Sequence, residues 1–132
     1  MTNALIRYVT VLIVMAVGDA LWLSYFAKAV FRPTLGSILL DDPRWIFAIA
    51  FYLVFAAGVI VFPIGAGLRA GSLLTALAYG AFFGFLAYMT YDLTNMATIK
   101  AWTLRLALMD MAWGTVLTAI AAGAGYWIRS RS

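Results

Sequence analysis

Apolar residues in this chain neither alternate nor keep to one helical face; they run almost unbroken through four stretches, at about residues 5–26, 45–64, 72–91 and 102–128. A bilayer core needs about 20 consecutive apolar residues per helix, and each stretch meets that length. A helix that is apolar all round is surrounded by lipid or by other helices, not by water. The pattern therefore predicts an all-α integral membrane protein. One domain over residues 1–132 holds four transmembrane helices in an up-down-up-down bundle with short loops and both termini on one side. Between the first two stretches, FRPTLGSILLDDPRW carries Pro33, Gly36 and the Asp-Asp-Pro at 41–43, which break a helix and bring in charge. Its apolar middle, 35–40, is expected to rest on the membrane interface. PIGAGLRAGS reads as a tight Gly-rich turn that makes the second and third spans an antiparallel hairpin, and LTNMATIKA as a short third loop.

Composition agrees with the pattern. The 132 residues are 66% hydrophobic and 11% charged, with a mean hydropathy of +1.00, whereas a soluble domain is about 25% charged. The lipid bilayer is the partner such a surface requires. The net charge of +4 could suggest nucleic acid, but the nine Lys and Arg stand singly at segment ends and form no patch. No nucleic-acid partner is expected. Cys and His are absent and all five acids are Asp, which excludes disulfides, thiol chemistry and His-ligated metals; no metal site or cofactor is expected. The N-terminus begins like a signal peptide, yet its apolar run is long, carries Asp19 and lacks a small-residue cleavage site, so it reads as a retained first span. Arg7, Arg69, Arg129 and Arg131 fall on the terminal side, against Lys28, Arg32, Arg44, Lys100 and Arg105 on the other. Arg69, Arg129 and Arg131 lie close to their spans with no acid among them and favour cytoplasmic termini. The near-even split also permits insertion in both orientations, and with it antiparallel dimers.

Aromatic residues gather near segment ends, at Tyr8, Trp22, Tyr25, Phe31, Trp45, Tyr88, Tyr91, Trp102, Tyr126 and Trp127, as interfacial anchors do. Small residues form a second pattern: Gly80 and Gly84 make G-x-x-x-G in the third span, and Ala119 and Gly123 continue such a stripe in the fourth. These faces let helices approach closely, either inside one bundle or between protomers of a homodimer or larger complex.

The chemistry lies in the acids. Asp19-Ala-Leu-Trp22 and Asp110-Met-Ala-Trp113 are both D-x-x-W, with each carboxyl and its indole one turn apart on a shared face. Counted from Phe26 and Trp102 at 1.5 Å per residue, both acids sit roughly 11 Å below the same membrane surface. If the first and last spans are neighbours, they face each other. A charged Asp at this depth costs about 2.5–3.5 kcal/mol, so each must turn inward. Protonation, a base, or hydrogen bonds from Trp22, Trp113, Tyr52, Tyr88, Thr90 or Thr115 would accommodate it. Arg105 is the best placed base, and Lys28 and Lys100 could reach down from the same surface. Gly80, Gly84, Tyr88 and Asp92 follow in fours and share a stripe. The functional reading is a polar cavity opening beside the first and third loops, lined by Asp19, Tyr88, Asp92, Asn95, Arg105 and Asp110. The structural reading has Asp92 capping a helix or turn with Thr94 and Asn95, while the buried acids bond neighbouring helices. Capping is favoured for Asp92 and Asn95. A functional role is favoured for Asp19 and Asp110, because neutral residues would serve as well for holding helices together.

With GDALW, Phe51-Tyr52, YMTYDLTNMATIKAW and MDMAWG, nearly the whole chain resembles a family of bacterial predicted membrane proteins, domain of unknown function 2177. The resemblance implies a four-span integral membrane protein and brings no activity with it; a bacterial cytoplasmic membrane is the expected location. Three functions are open: a small transporter or binder of a lipid-like or amphipathic molecule, dimerising through the Gly80 and Gly84 face; an accessory subunit of a membrane assembly; and a lipid-acting enzyme using paired Asp as acid and base or as Mg²⁺ ligands. The enzyme is least favoured, since no Ser, His or Cys nucleophile arrangement or diphosphate-type acidic cluster is present.

Overall fold

In a bilayer every backbone N–H and C=O must be bonded within the protein, and a helix does this within its own segment. The computed structural model describes residues 2–38 and 44–131. Among them four helical runs are long and apolar enough to cross a membrane: Asn3–Ile38, Trp45–Ala70, Leu73–Thr98 and Leu104–Ile128. The chain is an all-α four-helix membrane protein. Asp41, Asp42 and Pro43, expected to break the helix after the first span, lie outside the described residues.

The first three spans outrun their expected ends, for local reasons. The helix Thr2–Phe26 passes through a π turn at Ala27–Phe31 into a short helix, Arg32–Leu35, and a 3₁₀ turn, Gly36–Ile38. Pro33 falls in the first turn of that short helix, where its missing N–H is not needed, so it does not end the run. In the second span a π turn at Ile60–Ile64 absorbs Pro63 between the helices Trp45–Val59 and Gly65–Ala70. The expected Gly-rich turn is thus helical down to Ala70, and the chain reverses at Gly71, whose φ of +62° is left-handed. Ser72 then caps the third span, its Oγ accepting from the Thr75 N–H at 3.1 Å. Ser72→Ala is expected to cost about 1 kcal/mol, seen as a lower melting temperature in detergent.

The third span continues to Thr98 because its threonines are satisfied internally. Thr90, Thr94 and Thr98 donate to the carbonyls of Leu86, Thr90 and Thr94, one turn back. Asp92 and Asn95 therefore sit inside a helix. The expected capping role of Asp92 does not hold.

The third and fourth spans make the most extensive contact, and the first span lies on the fourth. Residues Ile60–Ala70 of the second span pack on the third, whereas Trp45–Val59 packs chiefly on the first. The glycines explain the closest approach. A methyl group at Gly80 would lie 2.7 Å from Ala122 Cβ and 3.1 Å from Ala119 Cα, and one at Gly123 would lie 2.6 Å from Leu77 Cδ2. At Gly84 it would run into the Gly114 carbonyl and the Thr118 side chain. The Gly80, Gly84, Ala119 and Gly123 stripe is consumed inside the chain. The dimer expected through the Gly80 and Gly84 face therefore finds that face already covered.

Two apolar clusters result. Val11, Met15, Phe55, Val59, Ile64 and Leu117 fill the half towards the termini, while Phe26, Val30, Leu35, Trp102 and Leu106 close the half towards the first and third loops. Outside, Leu21, Val54 and Leu74 are 69%, 73% and 76% exposed, as lipid-facing positions are. A shallow apolar groove lined by Ala4, Leu5, Tyr8, Ala57, Ile60 and Val61 lies towards the termini, away from the acids.

Candidate functional site

Between the two clusters lies a layer of polar side chains drawn from all four spans. Asp19, on the first span, is 9% exposed. Its carboxyl accepts a 2.9 Å bond from Trp113 Nε1 and a second from the Tyr52 hydroxyl. The two D-x-x-W motifs do meet, but crosswise: the indole on Asp19 belongs to the other motif. Side chains one turn apart on a helix point the same way and lie side by side, whereas an antiparallel neighbour brings its groups head-on. Trp22 instead stacks on Trp113, with ring centroids 4.9 Å apart and planes at 6°, and its buried Nε1 has no hydrogen-bond partner. With two donors, Asp19 ties the second and fourth spans to the first.

The other two acids stand differently. Asp19 is within electrostatic range of Asp110, as the matched depths suggest, but the group that lies against Asp110 is Asp92. Asp92 is 0% exposed, and its near polar neighbours are the Asp110 carboxyl and the Trp102 indole. Neither Asp92 oxygen receives a hydrogen bond, and Trp102 Nε1, on a residue only 7% exposed, donates none. Two carboxyl groups bond each other only when one carries a hydrogen, and two bare charges so placed repel strongly in a medium of low dielectric. A proton or an external cation has to close this pair.

No base among the described residues does so. Arg105 is exposed, and no ion pair joins it to Asp110 among the described residues. Five residues apart on a helix means about 140° around its axis, so the arginine that seemed best placed points away. Lys28 and Lys100 are exposed as well. Asn95 is half-buried one turn beyond Asp92, with its main-chain carbonyl accepting from the Ile99 N–H at 2.7 Å and its side chain making no bond to Asp92.

Tyr88 links the two groups of acids. Its ring lies flat on Gly114, the residue after Trp113, where any side chain would overlap it. Asp19, Asp110, Tyr52 and Asp92 are all within electrostatic range of its hydroxyl. Among the residues that complete the layer, Tyr52 is one of several donors the sequence offered, and its signal is a polar ring in an otherwise apolar span. Trp102 sits beside a loop where an interfacial anchor fits equally well, and Gly114 carries no polar group to betray it.

A family model described as a predicted membrane protein, domain of unknown function 2177, matches residues 4–127. The chain belongs to this family. Neither a curated protein nor a solved structure matches it. The match takes in all four spans and every acid of the layer, so the domain of unknown function 2177 fold includes the site but names no reaction for it. What this family member presents is one acid saturated by donors and, beside it, two that share none.

Proposed function

We propose that this domain of unknown function 2177 protein is a small membrane transporter or binder of an amphipathic molecule, with the Asp92–Asp110 pair as its exchange site. One observation supports the reading above the rest: a fully buried carboxyl that accepts no hydrogen bond faces a second carboxyl, and no base among the described residues balances it. Structural bonding between helices would favour the Asp19 arrangement, in which every acceptor has a donor. A pair that needs a proton or a cation is instead suited to trading one for the other. In this scheme Asp19 is a fixed strut, and Tyr88 connects strut and pair.

The test is labelling with dicyclohexylcarbodiimide in lipid nanodiscs. This reagent dissolves in the bilayer and adds to a carboxyl that carries its proton: the carboxyl oxygen bonds to the central carbon, the proton passes to a nitrogen, and rearrangement leaves a stable N-acylurea. Peptide mass spectrometry is expected to place the adduct on Asp92 or Asp110 and to leave Asp19 unmodified. The Asp92→Asn, Asp110→Asn double variant should lose it. A wild-type protein unlabelled at both acids would mean that they are locked, and the accessory-subunit reading would replace this one.

A further inference from the structure

We infer that the molecule exchanged at the Asp92–Asp110 pair is an amphipathic organic cation, an ammonium headgroup on an alkyl tail, which reaches the pair from the bilayer between the second and third spans. The inference rests on the exchange reading above and adds the chemistry and the route.

Charge comes first. The pair sets two carboxyls together, Asp92 buried and Asp110 half-buried, and the lysine and arginine nearest to it in the sequence, Lys100 and Arg105, are exposed. Next come the walls. The Trp102 and Tyr91 rings meet edge to face at 5.3 Å, Phe31 closes on Trp102 at 6.1 Å, and Tyr88 stands on the side of Asp19. Aromatic rings beside a carboxyl pair suit an alkylated ammonium, which is attracted by both. A hard divalent ion suits them less, since Ca²⁺ and Mg²⁺ require about six oxygen ligands. Among the described residues no three acids gather to supply them. Trp102 Nε1, itself buried and unbonded, faces Asp92, so donor and acceptor capacity lies unused on both sides of the pair.

The route follows from how the second span packs. Its contact with the third is carried by Ile60–Ala70 and, at mid-depth, by the Phe55–Phe83 stack at 5.2 Å. The helix Trp45–Val59, which runs from the first loop to one turn past that stack, packs chiefly on the first span, and near the loop Ile46, Phe47 and Ile49 are 72%, 68% and 55% exposed. Across this divide Tyr52 and Tyr88 lie within electrostatic range of each other, at the level of Asp19. A ligand entering there keeps its tail among the lipid chains while its head meets the carboxyls. That geometry selects a molecule with one cationic end and one apolar end.

The test uses the protein in phosphatidylcholine nanodiscs, with dodecyltrimethylammonium as the probe and dodecanol, dodecanesulfonate and tetramethylammonium as comparisons. Saturating dodecyltrimethylammonium is expected to reduce carbodiimide labelling of the pair at least tenfold and to change the Trp fluorescence, while the three comparisons do neither. Trp102→Leu should weaken the probe by about tenfold, the scale of a partly desolvated cation–π contact, read as the probe concentration that halves labelling relative to that variant's own unprotected level. Equal protection by dodecanol or dodecanesulfonate would overturn the cationic headgroup and leave the exchange site standing. Equal protection by tetramethylammonium would overturn the bilayer route. A wild-type pair that labels but is protected by nothing in the series would overturn the inference alone, whereas an unlabelled pair would overturn the exchange reading beneath it. Should Trp102→Leu fail to fold, the headgroup series decides without it.

Discussion

One added methyl group, in Gly84→Ala, is expected to lower the melting temperature of this protein by several degrees. The contact between the third and fourth spans is the most extensive in the fold, and at Gly84 it is backbone against backbone. A Cβ there would meet the Gly114 carbonyl and both Oγ1 and Cβ of Thr118, itself 0% exposed. None of these is the free end of a flexible side chain, so the helices must move apart. Overpacking of this kind costs about 1–3 kcal/mol. Separation also reaches the site, because the Gly80, Gly84, Tyr88 and Asp92 stripe lies along one line and Tyr88 rests on Gly114. Gly36→Ala is the control: nothing lies within 4 Å of a Cβ at that position, and its melting should match the wild type. Thermal unfolding in detergent, followed by Trp fluorescence, reads both variants. If Gly84→Ala melted with Gly36→Ala, the close packing of the third and fourth spans would be wrong.

The parts of this structure that were legible in the sequence are those set by the bilayer. Apolar runs of fixed length give spans whatever their neighbours do, and the fourfold recurrence of Gly80, Gly84, Tyr88 and Asp92 does place those residues on one packed face. Helix ends were less legible, because prolines normally stop helices and here do not. Pro33 occupies a first turn and Pro63 a widened one, accommodations that depend on backbone geometry rather than on residue type.

Partners of the acids were legible only in part. Depth counting brings Asp19 and Asp110 to one level, and they do lie within electrostatic range, but ending the third span at residue 91 hid the closer partner. Once the helix runs on to Thr98, Asp92 lies in its interior and faces the fourth span. Arg105 failed as a base for angular reasons, since proximity along a helix is not proximity around it. The swap of indoles between the D-x-x-W motifs could not be read from either motif alone. It depends on which two helices are antiparallel neighbours and on their rotation about their axes.

Asp19→Leu is expected to lower stability and Asp92→Leu to spare it, although both remove a buried acid. At Asp19 the substitution leaves the Tyr52 hydroxyl and the Trp113 N–H without their acceptor, and each stranded buried donor costs about 1–3 kcal/mol. Hydrogen bonds inside membranes average nearer 0.6 kcal/mol, so the loss should lie towards the low end of that range, with the melting temperature falling all the same. At Asp92 no donor is lost, because neither oxygen accepts a bond. Leucine removes a dry carboxyl and its repulsion with Asp110 and strands no buried donor, so the cost met at Asp19 has no counterpart here. Asp92→Leu should therefore melt at or above the wild type while carbodiimide labelling of the pair falls away. The pair of melting curves separates the two roles without any substrate in hand: an Asp92→Leu protein melting as low as Asp19→Leu would make the Asp92–Asp110 contact a structural bond, and the exchange site would have to be given up.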